Sequence, residues 1–205
     1  MLLYVIVDAA SCDPVTTGIA AARSGAHFVQ LRDFRSNDPE YVATAKAILA
    51  GAGDSKTRLI VSERPHLVQR IGAHGVHIGE TYRDIQTARE EIGEGPILGV
   101  SQFTPEFIAE HLGEDFPVDY LSVGPVWTTV SKANAGDAIG VAEAAVRANA
   151  NPYVSALVGG ITAANVGELK AALSPETRAM AVVLGEVCRA ADPGAAVTTL
   201  LRALA

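Results

Sequence analysis

The chain has 205 residues, of which 49% are hydrophobic and 19% charged, enough for one sizeable core and close to the smallest size of a complete βα barrel. Its net charge is −7 and lysines and arginines are scattered, which argues against nucleic acid or an anionic membrane surface as partner, because both require a basic footprint. No apolar run reaches the ~20 residues of a membrane span, and the segment 2–7 lacks the basic flank and the length of a secretory signal, so a cytoplasmic protein is expected.

In chain order, short apolar runs alternate with longer Ala-rich amphipathic ones, the pattern of βα units around a parallel sheet. Strands are predicted over 2–7, 27–31, 58–61, 75–78, 97–100, 120–123, 153–157 and 179–184. Most are almost continuously hydrophobic, as strands buried on both faces must be. Helix starts are expected at Pro14, at Asp38-Pro39 and at Thr104-Pro105, with Thr162 capping the seventh helix and a last helix over 193–204. Proline suits the first helical position and threonine the cap. Eight such strands imply a single (β/α)₈ TIM-barrel domain over 1–205; an open doubly wound sheet, the alternative, normally uses fewer strands. Cys12 and Cys188 are far apart in sequence, with no metal-ligand spacing. They are expected to be two reduced thiols.

In a barrel, function gathers at the carboxyl ends of the strands. Those ends carry Asp8, Gln30 and Arg32, Ser62-Glu63-Arg64, His77, Ser101, the segment 124–140, Gly159-Gly160 and Gly185-Glu186. Taken singly, an arginine or glutamate there serves equally as a structural ion pair, and His77 as a packed, hydrogen-bonded core residue. The glycine pair is more specific. Val158-Gly159-Gly160-Ile161-Thr162 stands between a strand and a helix, where backbone can approach a ligand closely and helical N–H groups attract an anion. Loops after strands seven and eight commonly hold phosphate in this way, with Gly185 as the second half of the cup. On this reading Gly160→Val should block the anion and leave the fold intact. The segment 124–140 is long for a βα connection of about two to six residues. It carries Thr128, Thr129, Ser131 and Lys132, with Gly136 and Gly140 as hinges, and is expected to act as a mobile lid over a phosphorylated substrate.

With these residues in order, the chain resembles the thiamin phosphate synthase/TenI family along nearly its whole length. The markers are LLYVIVD at 2–8, VQLRD at 29–33, GVHIG at 75–79, GVS at 99–101, VGPVWTTVSK at 123–132 and VGGIT at 158–162. The resemblance implies a (β/α)₈ barrel. Synthases of this family join a pyrimidine diphosphate to a thiazole phosphate with Mg²⁺ and release diphosphate. By resemblance, Gln30, Arg32, Ser101 and Lys132 match positions that contact the pyrimidine or diphosphate, Arg32 and Lys132 carrying the catalytic charge, while Thr129, Ser131 and Gly160 match positions that hold the thiazole phosphate. Loss of diphosphate develops negative charge, which Mg²⁺ and fixed cations must stabilise.

The diphosphate side departs from that pattern. Phe34 stands where the family has lysine, Ser62-Glu63 where it has Asn-Asp, and Tyr82 where it has a Mg²⁺-binding aspartate. Mg²⁺ is bound through carboxylates, so Glu63 remains the metal ligand to consider if the protein is a synthase. The TenI branch, whose activity is thiazole tautomerisation, needs a phosphate grip and an acid/base but no Mg²⁺. Yet the histidine that commonly follows the GVS segment is Gln102 here, leaving His77 and Glu63 as acid/base candidates by position. The leading expectation is therefore a TenI-like thiazole tautomerase without cofactor. The alternatives are a divergent Mg²⁺-dependent synthase, a non-catalytic binder of thiazole or thiamin phosphate, and another phosphate-utilising barrel. Thiazole phosphate, and for a synthase pyrimidine diphosphate, are the implied small-molecule partners, and family members are often homodimers.

Overall fold

A computed structural model describes residues 1–79, 84–101, 117–131 and 136–205. Strands β1 (Leu2–Asp8), β2 (Phe28–Arg32), β3 (Arg58–Ser62), β4 (Gly75–Ile78), β5 (Ile97–Val100), β6 (Tyr120–Val123), β7 (Val154–Val158) and β8 (Ala179–Val183) are joined in sequence order into a closed barrel. All neighbours are parallel, and β8 pairs with β1 to complete the ring. Among the described residues the helices are α1 (Pro14–Arg23), α2 (Asp38–Ala52), α3 (Val68–Ile71), α4 (Ile85–Ile92), α5 (Gly140–Ala150), α6 (Val166–Ala172), α7 (Gly185–Cys188) and α8 (Pro193–Leu204). The barrel expected from the sequence is thus present, with β4, β5 and β6 at the expected bounds. The helix start expected at Thr104-Pro105 lies outside the described residues.

The helix starts follow from their caps. Asp13 accepts from the Thr16 amide at 2.7 Å and Asp192 from the Ala195 amide at 2.9 Å. At α2, Asn37 and Glu40 form a reciprocal capping box at 3.0 and 3.1 Å, one turn of backbone satisfied from both sides. The helix after β7, α6, departs from expectation. Thr162 does not cap it; the helix begins at Val166, and the Thr162 amide donates instead to Asn165 Oδ1 at 2.8 Å.

Strands buried on both faces supply two layers of core. Outward residues such as Leu3, Val5, Val29 and Val61 pack against Ala21, Tyr41, Ala45 and Ile48 of the helices. Inside the ring, Tyr4, Phe28, Ile60, Tyr120, Met180 and Val182 form a separate plug. Tyr4 stacks on Phe28 at 5.4 Å and meets Tyr120 edge-on at 5.9 Å. Gly99 makes room for this plug, since a Cβ there would lie 1.9 Å from Tyr120 Cζ. The aromatic plug fills the lower barrel and leaves the carboxyl-terminal mouth open.

At the opposite rim the chain uses one device twice. Gly25-Ala26-His27 precedes β2 and Gly72-Ala73-His74 precedes β4. The His27 amide donates to the Leu3 carbonyl at 3.0 Å while the Leu3 amide donates back to His27 Nδ1 at 3.1 Å. His74 does the same with Leu59, at 2.8 and 3.0 Å. An imidazole that accepts through Nδ1 must be neutral. Burial, the principal cause, accordingly holds both rings below the ordinary imidazole range.

Candidate active site

The open mouth is a cavity of about 510 Å³, within the range of small-molecule sites. One wall carries Gln30, Arg32, Glu63, His77 and Ser101, from the ends of β2 to β5. The other carries Thr129, Ser131, Gly159, Gly160 and Gly185, from the segments after β6, β7 and β8. Every expected site residue that is described therefore meets in one space. Lys132 lies outside the described residues, as does Tyr82.

Strand alternation aims Gln30 and Arg32 inward from β2. Arg32 Nη1 pairs with Asp8 Oδ2 at 3.1 Å across the β1–β2 register. The Asp8 carboxylate is itself held by the Ala10 amide and the Ser11 hydroxyl, at 3.1 and 3.2 Å. The Arg32 guanidinium also lies 4.8 Å from the centre of the Phe34 ring. The exposed Phe34 ring thus stacks on the Arg32 charge. Asp8 and Phe34 orient Arg32.

Glu63 is the single non-glycine residue with positive φ among those described, at 58°. Such a conformation costs about 1–3 kcal/mol and persists where neighbours enforce it. The neighbours here are anchored. The Ser62 amide donates to the Tyr41 hydroxyl at 2.9 Å, and that hydroxyl donates to the Leu31 carbonyl at 2.7 Å. On the other side Arg64 covers the Tyr41 ring at 4.5 Å, pairs with Asp38 and donates to the Ser36 carbonyl at 2.7 Å. Tyr41 and Arg64 are structural clamps, and Glu63, bent between them, is turned to the cavity wall.

His77 lies at the head of a buried polar chain. Nε2 is 2.7 Å from Ser101 Oγ, Nδ1 is 3.0 Å from the Tyr120 hydroxyl, and that hydroxyl is 2.9 Å from the Tyr4 hydroxyl. The imidazole also stacks on Tyr120, 5.6 Å between centres and 13° between planes. Burial raises both phenols well above the ordinary tyrosine range, so they stay protonated and can donate as well as accept. His77 is packed and hydrogen-bonded, and it also lines the cavity. Exchange of imidazole tautomers along the chain can move a proton between Ser101 and the phenols.

The glycine wall is built by packing two loops together. Gly159 and Gly160 have φ of 102° and 64°. A Cβ on Gly159 would lie 2.5 Å from Pro125 Cβ, and one on Gly160 would lie 2.6 Å from Trp127 Cβ and 2.8 Å from the Thr128 carbonyl oxygen. The Val126 and Trp127 amides donate to the carbonyls of Val158 and Gly159 at 2.9 and 3.0 Å. Gly160→Val is therefore not the selective anion block expected from sequence, because its side chain would first drive these loops apart. The amides of Gly160 and Ile161 have no hydrogen-bond partner among the described residues, whereas the Ala163 amide is taken by Glu186 Oε1 at 3.3 Å. Gly140 is no free hinge either: it opens α5 and donates to the Val126 carbonyl at 3.0 Å.

Sequence reasoning overlooked the phenols of Tyr4 and Tyr120, which sit in the middle of apolar strands and give no local signal. It also overlooked Arg189, which lines the cavity and lays its guanidinium where a Gly185 Cβ would be, 2.0 Å from Nη2. The four-residue spacing from glycine to arginine along one helical turn was the available clue.

The family model described as thiamine monophosphate synthase matches residues 3–185. The thiamine-phosphate synthase of Xanthobacter autotrophicus is 35% identical over 208 aligned positions, covering 100% of this chain and 95% of that protein. That of Methanospirillum hungatei is 34% identical over 175 positions, 83% of each chain. Among solved structures, thiamine phosphate pyrophosphorylase from Pyrococcus furiosus superposes with a TM-score of 0.85 at 24% identity, covering 99% of this chain and 95% of that one; at that identity the likeness speaks to fold. Matched over most of its length and through its strand-end motifs, the chain belongs to the thiamin phosphate synthase/TenI family.

Proposed function

We propose that the protein is a thiamin phosphate synthase, joining a pyrimidine diphosphate to a thiazole phosphate with release of diphosphate. The observation that carries this reading is the single cavity shared by both walls. A condensation of two phosphorylated substrates needs a cation-bearing wall and a phosphate-binding wall in one space, whereas a tautomerase, with one substrate, requires only the second. The names of the relatives support the same choice and move it ahead of the tautomerase expected from sequence.

In this reading Gln30 and Ser101 orient the pyrimidine, and Arg32 meets the negative charge that develops on the leaving diphosphate. Lys132 is assigned to the same leaving group by its motif alone. Thr129, Ser131 and the amides of Gly160 and Ile161 hold the thiazole phosphate, with Gly159 and Gly185 allowing close backbone approach. Among the described residues no three His, Cys, Asp or Glu side chains converge, and Mg²⁺ is commonly held by one or two carboxylates plus substrate phosphates. Glu63 fits that pattern: it would hold the ion together with the diphosphate oxygens, and the ion would add positive charge at the leaving group. Purified protein given both substrates and Mg²⁺ should form thiamin phosphate and diphosphate; absence of product at high protein concentration defeats the reading.

The second reading, a thiazole tautomerase, is favoured by the Ser101–His77–Tyr120–Tyr4 chain, which supplies proton transfer without a metal. It predicts a faster ultraviolet absorbance change of the thiazole substrate with no diphosphate released. Micromolar calorimetric binding of thiazole phosphate with neither turnover would leave a binder.

A further inference from the structure

Closure of the barrel brings together two cysteines from opposite ends of the chain. Cys12 lies in the segment between β1 and α1, and Cys188 is the last residue of α7. They are 176 positions apart, yet their sulfurs are 2.8 Å from each other. Both are free thiols, Cys12 partly exposed and Cys188 buried. Each also reaches a carbonyl of β1: Cys12 Sγ is 3.6 Å from the Asp8 oxygen and Cys188 Sγ is 3.4 Å from that of Ile6.

We propose that Cys12 and Cys188 are a site of reversible oxidative modification, closing an intramolecular disulfide with Cys12 as the attacking thiol and Cys188 as the resolving one. The sulfurs need approach by less than about 1 Å to reach the ~2.05 Å of an S–S bond. Exposure assigns the order, because an oxidant reaches Cys12 before the buried Cys188. Thiolate character agrees with it: the hydrogen bond from Cys188 lowers the Cys12 thiol to about 7, and the same contact, with burial, raises Cys188. Reactive cysteines combine such a lowered thiol with solvent access and a nearby resolving partner.

With hydrogen peroxide as the oxidant, the Cys12 thiolate attacks one peroxide oxygen. The O–O bond breaks, and the departing hydroxide takes a proton to become water. Cys12 is left as a sulfenic acid. The Cys188 sulfur then attacks the Cys12 sulfur, the S–S bond forms, the S–O bond breaks, and the hydroxyl group leaves as a second water with the Cys188 proton. Two thiols and one peroxide thus become one disulfide and two waters, and a dithiol reductant reverses the step. The bond ties the segment that follows Asp8, the partner of Arg32, to the short helix carrying Gly185 and Glu186.

Folded protein treated with stoichiometric hydrogen peroxide, then denatured and titrated with a chromogenic disulfide reagent, should lose both titratable thiols. It should also lose two hydrogen atoms by mass and yield a linked Cys12–Cys188 peptide that dithiothreitol releases. Cys188→Ser should stop at a Cys12 sulfenic acid trapped by dimedone; Cys12→Ser should leave Cys188 reduced, with circular dichroism confirming that each variant is folded. Persistence of both thiols in the treated wild type, a bond between separate chains, or oxidation of Cys188 in Cys12→Ser at the wild-type rate overturns the proposal.

Discussion

The two ends of the barrel are built on opposite principles. At the amino-terminal rim polar groups are closed on one another. His27 and His74 each form a two-way bond with a neighbouring strand. Arg89, from α4, donates to the carbonyls of Pro117, Gly93 and Pro96 at 3.0, 2.9 and 2.8 Å and pairs with Asp119 at 2.9 Å, which in turn accepts from the Leu98 amide at 2.8 Å. At the carboxyl-terminal mouth the arrangement is held tense and partly unfilled. Glu63 is bent into a positive-φ conformation, two glycines are wedged under a loop, and two amides have no protein partner among the described residues. The difference teaches that this fold places stability and reactivity at opposite ends of the same strands, so that strain at the site is supported by satisfied bonds one strand length away.

Three variants probe the contrast. The largest effect is expected at the mouth. Arg32→Met should lower kcat/KM for the proposed condensation by about 10²–10³, the usual consequence of removing one charge-stabilising donor, while the folded state survives to be measured by circular dichroism. Activity within tenfold of wild type would remove Arg32 from the reaction. Next comes Gly160→Val, where overpacking and positive-φ strain should together destabilise the protein by about 3 kcal/mol, read as a lower urea midpoint. An unchanged midpoint would mean that the loops after β6 and β7 do not pack as described.

The smallest effect belongs to the amino-terminal rim and depends on pH. Both clamping histidines have folded-state values below those of the unfolded chain. The unfolded chain therefore binds more protons across that window. Their contribution to stability is complete above about pH 6.5 and is lost as pH falls through the lowered folded values. Denaturation between neutral and mildly acidic pH should show this loss in the wild type, and a His27→Asn/His74→Asn variant should show a flatter profile. Equal slopes in the two proteins would count against the clamps.

Much of the fold was legible because its signal is local. A strand with one face to the helices and one to the barrel interior must be apolar throughout, and β4, β5 and β6 were recoverable to the residue on that basis. Site residues were legible for the related reason that strand ends converge in a closed barrel, which is how Gln30, Arg32, His77 and Ser101 could be gathered. The helix after β7 was less so: Thr162 has the chemistry of a cap, but the Asn165 side chain takes its amide and moves the start to Val166. The Gly159-Gly160 pair was singled out by sequence for one expected reason and is required by structure for another. Backbone approach to an anion is visible in a Gly-Gly turn, but collision with Trp127 and Pro125 depends on a loop more than thirty positions earlier.

By itself the sequence determined the number and order of the strands, the family, and which polar residues would face the mouth. These follow from hydrophobic periodicity and from motifs that act within a few residues. Tertiary structure alone decided the contacts made by ring closure. Tyr120 could join His77 and Tyr4 only because Gly99 leaves space on the neighbouring strand. Cys12 and Cys188, isolated by 176 positions in the chain, meet because β8 pairs with β1. Parallel pairing of the last strand with the first turns the greatest separation in sequence into direct contact, a distance that no local pattern encodes.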